Sequence, residues 1–222
     1  MLDVGAYLLA TAELAAIAAA LAFGAIRLRA ALLPTFEGAP ARLAEAVLAL
    51  STLLVVGEAL GLAGRFEEWP LTAALVAVGI AQGLIAPRID VGRETLPTAT
   101  EGGQRQFGGR RLQLGIAIAA TAIVFEHWLV PTAATLAEGI YGFDSQWYHL
   151  PFAARFAETG QIWDFHYTTP VLLSWFYPAN SELLHAAGMV ITGRDLLSPM
   201  LNLGWLLLAL LAAWCLGRPW GV

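Results

Sequence analysis

The 222-residue chain is 58% hydrophobic and only 13% charged, with a mean hydropathy of +0.66. So little charge cannot cover the surface of a soluble domain, and the composition belongs to the membrane class. A formal net charge of −5 excludes a nucleic-acid partner, because no basic face is available to neutralise phosphates.

The apolar residues are mostly Ala and Leu, which favours spanning helices over the alternating strands of a barrel. A hydrocarbon core of roughly 30 Å needs about 20 apolar residues in a helix. Five stretches meet that requirement: 6–26, 43–62, 71–86, 112–130 and 197–216. The first follows Met1-Leu2-Asp3 without a basic leader and is too long for a signal-peptide core, so it reads as a retained helix. Cys215 lies in the last stretch and reads as a small buried apolar side chain.

Orientation follows from the arginines, which supply all 12 cationic residues. Nine of the twelve (Arg27, Arg29, Arg42, Arg88, Arg93, Arg105, Arg110, Arg111 and Arg218) fall on one side of the alternating spans. The positive-inside rule makes that side cytoplasmic, with the N-terminus outside and the C-terminus inside. The expected fold is therefore all-α, a polytopic transmembrane bundle of about five spans. It carries one long extracytoplasmic loop with short amphipathic juxtamembrane helices.

Residues 1–86 form an N-terminal three-helix membrane region. Residues 87–111 hold two prolines, two Gly pairs and mixed charge, and read as a flexible cytoplasmic linker. Residues 135–196 differ in kind, with Trp147, Trp163, Trp175, four tyrosines, three of the four histidines and several carboxylates. A loop so long and aromatic is usually functional or docked on the membrane surface.

Within that loop, Asp144 sits where a helix N-cap belongs and Gly160 where a helix-ending glycine belongs. Pro151 should kink or divide the segment between them. Helical spacing puts Asp144, Tyr148 and Arg155 near one face, with Trp147, Leu150 and Ala154 as a neighbouring apolar stripe. A second piece begins at Asn180 or Ser181 as a cap, and its Glu182 and His185 share a face at i, i+3. A carboxylate and an imidazole so placed can bind a metal or pass a proton.

The run Phe143-Asp-Ser-Gln-Trp-Tyr-His-Leu-Pro151, followed by Phe176-Tyr-Pro-Ala-Asn-Ser-Glu182-Leu-Leu, resembles the first outer loop of membrane glycosyltransferases of the C superfamily. Bacterial relatives of dolichyl-phosphate-mannose protein mannosyltransferases are the nearest likeness. The resemblance covers residues 112–222. In that family an acidic residue near the start of a juxtamembrane helix serves as general base toward the acceptor, and the sugar arrives on a polyprenyl phosphate. Asp144 matches that position. The resemblance thus implies transfer at the outer face of the cell membrane.

Family members usually have more spanning helices, which implies that this chain is the N-terminal portion of such an enzyme or works with a companion membrane subunit supplying the rest. The first three helices would be an N-terminal addition.

Glycosyl transfer needs a carboxylate to deprotonate the acceptor hydroxyl, and positive charge or a metal to stabilise the departing phosphate. Asp144 and Glu182 are the candidate catalytic residues. Tyr148, His149, Arg155 and His185 are candidates for substrate binding. Arg194 competes with Arg155 for a phosphate, and Asp164 with His166 is an alternative to Glu182 with His185. A divalent metal would fit this chemistry, and no organic cofactor is expected.

Plainer roles compete with each assignment. Asp144 as a cap would contribute about 1 kcal/mol, Glu182 would complement a helix dipole, and Arg155 would snorkel or pair with Glu158. Without catalysis, the chain would be a membrane subunit whose outer loop docks a partner. Glu13, Glu58, Glu126 and His127 all fall in the outer halves of their spans, where a shared outward-opening cavity would account for them.

Overall fold

Proline and glycine punctuate long apolar helices in this chain, and the computed structural model describes residues 4–89, 110–163 and 179–217. Helix α1 (Val4–Leu32) ends just before Pro34, and α2 (Ala39–Leu62) starts with a proline in its first turn after Gly38, whose φ is 61°. Gly64, at φ 66°, turns the chain into α3 (Glu68–Ile85), which closes in a short 3₁₀ turn, Ala86–Arg88. Helix α4 (Arg110–Glu138) is followed by a π-helical turn (Ser145–His149), α5 (Leu150–Thr159), α6 (Asn180–Thr192) and α7 (Ser198–Gly217). No strand occurs among the described residues.

Five of these helices, α1, α2, α3, α4 and α7, are long and apolar enough to cross a membrane. Among its described residues the protein is all-helical, and it is a multi-pass membrane protein with as many candidate spans there as expected. The spans run past several of the expected ends. Helix α4 continues through Pro131, just past the expected end of its span at residue 130. A proline removes one backbone donor, and spanning helices tolerate that loss. The hydroxyls of Thr132 and Thr135 donate to the carbonyls of Trp128 (2.8 Å) and Pro131 (2.7 Å) in the same turns.

Helices α1 and α3 pack at backbone contact. A Cβ on Gly79 would stand 2.5 Å from the Ala20 carbonyl oxygen, and one on Gly24 would stand 2.6 Å from the Gly79 carbonyl oxygen. In lipid, small residues let helices approach because dispersion and close packing replace the missing hydrophobic drive. Thr52 and Gln82 add a hydrogen bond of 3.0 Å between α2 and α3. At the arginine-bearing end, buried Glu45 accepts from Arg29 Nε at 3.0 Å and from Arg42 Nη1 at 2.7 Å.

The opposite end carries α5 and α6. The Phe66 amide donates to the Gly160 carbonyl at 3.0 Å, and the Ile162 amide to the Gly61 carbonyl at 3.4 Å. One buried core joins Ile17 and Leu21 of α1, Leu71 and Leu75 of α3, Phe152 and Phe156 of α5, and Leu183 and Ala187 of α6. The loop helices are therefore packed onto the first three spans, which form their floor. Helices α4 and α7 stand to one side, and along the described side chains of α4 only Thr132 is buried. Residues 90–109 of the expected linker lie outside the described residues.

Candidate functional site

The segment from Asp144 to Gly160 divides near Pro151, as its sequence requires. The division takes the form of a π turn closed by the Leu150 amide on the Ser145 carbonyl, followed by α5 with Pro151 in its first turn. Gly160 ends α5 in the left-handed conformation at φ 68°, as expected of that position. Single π turns inside helices often mark functional sites, because the extra residue re-aims the side chains around it.

Asp144 begins this π turn without capping it. Its backbone is already helical (φ −63°, ψ −37°) and its side chain makes no capping bond, since an N-cap requires a non-helical conformation. The carboxylate is exposed and forms no hydrogen bond among the described residues. The capping role is thus excluded, and the group stays open to solvent or ligand. Phe143 and Trp147 flank it as an edge-to-face pair with ring centroids 4.6 Å apart, and Trp147 remains half-exposed.

His149 stands one wide turn further on. Its Nδ1 meets Oε1 of Glu182, the first-turn carboxylate of α6, in a short contact. Glu182 is only 4% exposed, whereas His149 is half-buried, so the carboxylate is the inner member and the imidazole the outer one. Tyr148 packs beside His149 with ring centroids 4.1 Å apart, and on Phe152 at 6.2 Å. A carboxylate on Nδ1 fixes the tautomer and ring orientation of a histidine and leaves Nε2 for chemistry.

His185, one turn along α6, completes the cluster. Burial pushes its imidazole below the ordinary value of 6.5; Glu182 opposes that shift and His149 reinforces it. Glu182 Oε2 and His185 Nδ1 are both buried and without a hydrogen-bond partner. Two orphaned polar atoms a turn apart are an unusual burden for a folded core. Among the described residues, no group of three or more His, Cys, Asp and Glu side chains is placed to hold a metal ion. The pairing of Glu182 and His185 as a metal position finds no support there, because Oε1 of Glu182 is taken by His149.

Helix α6 departs from the expected start. Neither Asn180 nor Ser181 caps it: Asn180 is its first helical residue, and Ala179 precedes it with no side-chain bond. Arg155 is half-buried on α5, and Arg194 is exposed beyond the end of α6. Asp164 and His166, like residues 176–178 of the second motif run, lie outside the described residues.

A groove of about 770 Å³ opens between the start of α3, the outer face of α5 and the end of α6. Leu150, Ala154, Met189 and Val190 form its apolar part, and Glu67, Glu68, Glu158, Arg194 and Asp195 its polar part. The sequence reading missed Glu68 and Thr72 as partners of Glu13. The carboxyl of Glu68 meets that of Glu13, and the Thr72 hydroxyl donates to Glu13 Oε2 at 3.3 Å. The shared cavity expected for four intramembrane groups finds no support among the described residues: Glu13 is buried here, while Glu58, Glu126 and His127 are exposed. Only Glu13 points toward a packed neighbour, Thr72 of α3, whereas the part of α4 that carries Glu126 and His127 is exposed on every face among the described residues.

Fold and site together define a multi-pass helical membrane protein with a carboxylate–histidine pair at the end of its bundle away from most arginines. Comparison with family models, curated proteins and solved structures gives no match for this chain.

Proposed function

We propose that the chain is an integral-membrane glycosyltransferase, or the N-terminal portion of one, using a polyprenyl-phosphate sugar at the extracytoplasmic face of the cell membrane. The observation that carries this reading is the contact of His149 with Glu182. It joins the two separate runs whose residues resemble the outer loop of C-superfamily enzymes, beside an exposed carboxylate at Asp144.

In this reading Asp144 takes the proton from the acceptor hydroxyl. The acceptor oxygen bonds to the anomeric carbon as that carbon's bond to the phosphate oxygen breaks, and the electron pair leaves with the polyprenyl phosphate. Glu182 is a positioning residue that holds His149, whose Nε2 faces the substrate. Arg155 and Arg194 supply fork-shaped cations suited to phosphate. The exposed tryptophans and Tyr141 suit the membrane interface and sugar faces. A divalent ion, if one takes part, would draw ligands from Asp144 and from substrate oxygens.

A companion set of helices fits the same picture. Glu126 and His127 are exposed on α4 among the described residues, and ionisable groups on a spanning helix need a partner or cavity. This also favours the second reading, a non-catalytic membrane subunit whose outer loop docks another protein.

Transfer from a radiolabelled polyprenyl-phosphate sugar pool, comparing wild type with Asp144→Asn, separates the two. The enzyme reading expects a loss of at least about a hundredfold, as for removal of a general base. Equal transfer by both proteins removes Asp144 as the base, and no transfer by wild type, with or without its companion helices, leaves the docking subunit. Labelling of a cysteine placed at 144 by an impermeant reagent tests the outward orientation.

A further inference from the structure

The exposed apolar surface of α4 does not stop where the helix does. Leu129, Val130 and Leu136 are exposed along its last turns. Gly139, at φ 99°, then turns the chain, and Tyr141 and Phe143 (each 69% exposed) and Trp147 (48%) follow directly. From Gly139 to Tyr148 the only acidic or basic side chain is Asp144. Single exposed apolar residues are ordinary, but a contiguous group of bulky rings marks a surface that meets something other than water.

Chain geometry sets the height of these rings. The candidate span Leu114–Glu138 has 25 residues, which is about 37 Å of helix at 1.5 Å per residue. A hydrocarbon core of roughly 30 Å leaves the ends of such a helix in the headgroup layers. Tyr141 and Phe143 start from that level, just past Glu138. Tyr7 and Trp69, exposed in the first turns of α1 and α3, stand at the same end of the bundle. Tyr and Trp favour that boundary because one side of each ring system is apolar and the other hydrogen-bonds. Phe143 and Trp147 are joined edge to face, with centroids 4.6 Å apart. The groove beside α5 is lined by Gln146 and Leu150 but by none of these rings, so they are not its walls.

We infer that Tyr141, Phe143 and Trp147 dip into the lipid headgroup layer as an anchor for the π turn, holding the Asp144 carboxylate at the boundary of water and lipid. The bilayer is the occupant because the patch continues the apolar surface of a span, at the height where spans pass from hydrocarbon to water. Asp144, exposed between the rings, keeps its hydration in that wet layer. The anchoring is independent of sugar transfer and stands or falls separately.

The test puts a nitroxide at position 143, through Phe143→Cys on a Cys215→Ser background, in the full chain in phosphatidylcholine nanodiscs. Collisions are measured with oxygen, which concentrates in lipid, and with a nickel chelate, which stays in water. A label about 5–10 Å into the interface is expected to show an oxygen-to-nickel ratio well above that of free label in buffer. Adding Tyr141→Ser and Trp147→Ser should return the ratio to the buffer value, since losing two rings shifts the immersed fraction at least about tenfold. Tyr141→Leu with Trp147→Leu retains apolar side chains and should hold the parent's ratio. A buffer-like ratio in the parent overturns the inference. So does low access to both reagents, which would put another protein over the patch. A ratio that survives the serine pair, or falls equally with the leucine pair, also overturns it.

Discussion

His149 and Glu182 lie 33 residues apart and meet through Nδ1 and Oε1, tying the π turn before α5 to the first turn of α6. Glu182 is almost wholly buried, and its other oxygen has no partner. Removing the carboxylate leaves the nitrogen of a half-buried imidazole unpaired, at a cost of about 1 kcal/mol. Glu182→Ala should therefore lower the thermal unfolding temperature in detergent, and Glu182→Gln should lower it less, because an amide oxygen still accepts from Nδ1–H. If the two residues act as a unit, His149→Ala combined with Glu182→Ala should cost less than the separate losses added together. Additive losses would mean that the contact carries no energy.

His185 sets a pH dependence whose sign follows from its burial. Its imidazole is held below 6.5 in the fold, chiefly by desolvation, with Glu182 and His149 as the charged neighbours. From 6.5 down to that lower folded value the unfolded chain binds more protons than the folded one, so stability falls as the pH falls through this window. Melting temperatures measured from about pH 7.5 to about pH 5.5 should decline on acidification, and His185→Gln should flatten the decline. A variant whose slope matches wild type would show that His185 does not take part.

What could be read in advance, and what could not, divides along physical lines. Span number depends on apolar length, a local property, and the five spans were legible in it. Pro151 and Gly160 act through their own backbones, so the split before α5 and its left-handed end were legible too. Side-chain caps are decided by one residue's φ and ψ, which is why Asp144, Asn180 and Ser181 were misread. The pairing of Glu182 with His149 and of Glu13 with Glu68 depends on which helices touch, and no spacing rule encodes that. A hint lay in Glu182 itself, a carboxylate in a short segment whose neighbours Leu183, Leu184, Ala186 and Ala187 are apolar around most of the helix.

At the arginine-bearing end, Glu45 joins α1 to α2. Both its oxygens are used, one by Arg29 and one by Arg42, and its own side chain is 9% exposed. Arg42 is 57% exposed and its pair is screened, so the Arg29 contact carries most of the effect. Glu45→Ala should destabilise by about 1–3 kcal/mol, read as a shift in a detergent unfolding curve, because Arg29 is left part-buried without its acceptor. Arg42→Ala should cost less than about 1 kcal/mol. The reverse order would place the energy in the exposed pair.

The contact of α1 with α3 gives the sharpest packing test. A methyl on Gly79 would sit 2.5 Å from the Ala20 oxygen and 2.6 Å from its carbonyl carbon, both backbone atoms that cannot turn aside. Gly79→Ala must push the two helices apart and should cost about 1–3 kcal/mol. The same change at Gly115 on α4 meets nothing within 4 Å. There the lost glycine entropy works the other way, and Gly115→Ala should be neutral or stabilising by about 0.5–1 kcal/mol. Because α5 and α6 share one core with α1 and α3, the Gly79 variant should also loosen the His149–Glu182 contact, seen as faster hydrogen exchange of the α6 amides. Unchanged exchange in a destabilised Gly79→Ala protein would show that the spans and the loop helices unfold separately, and the floor assigned to the site would not be supporting it.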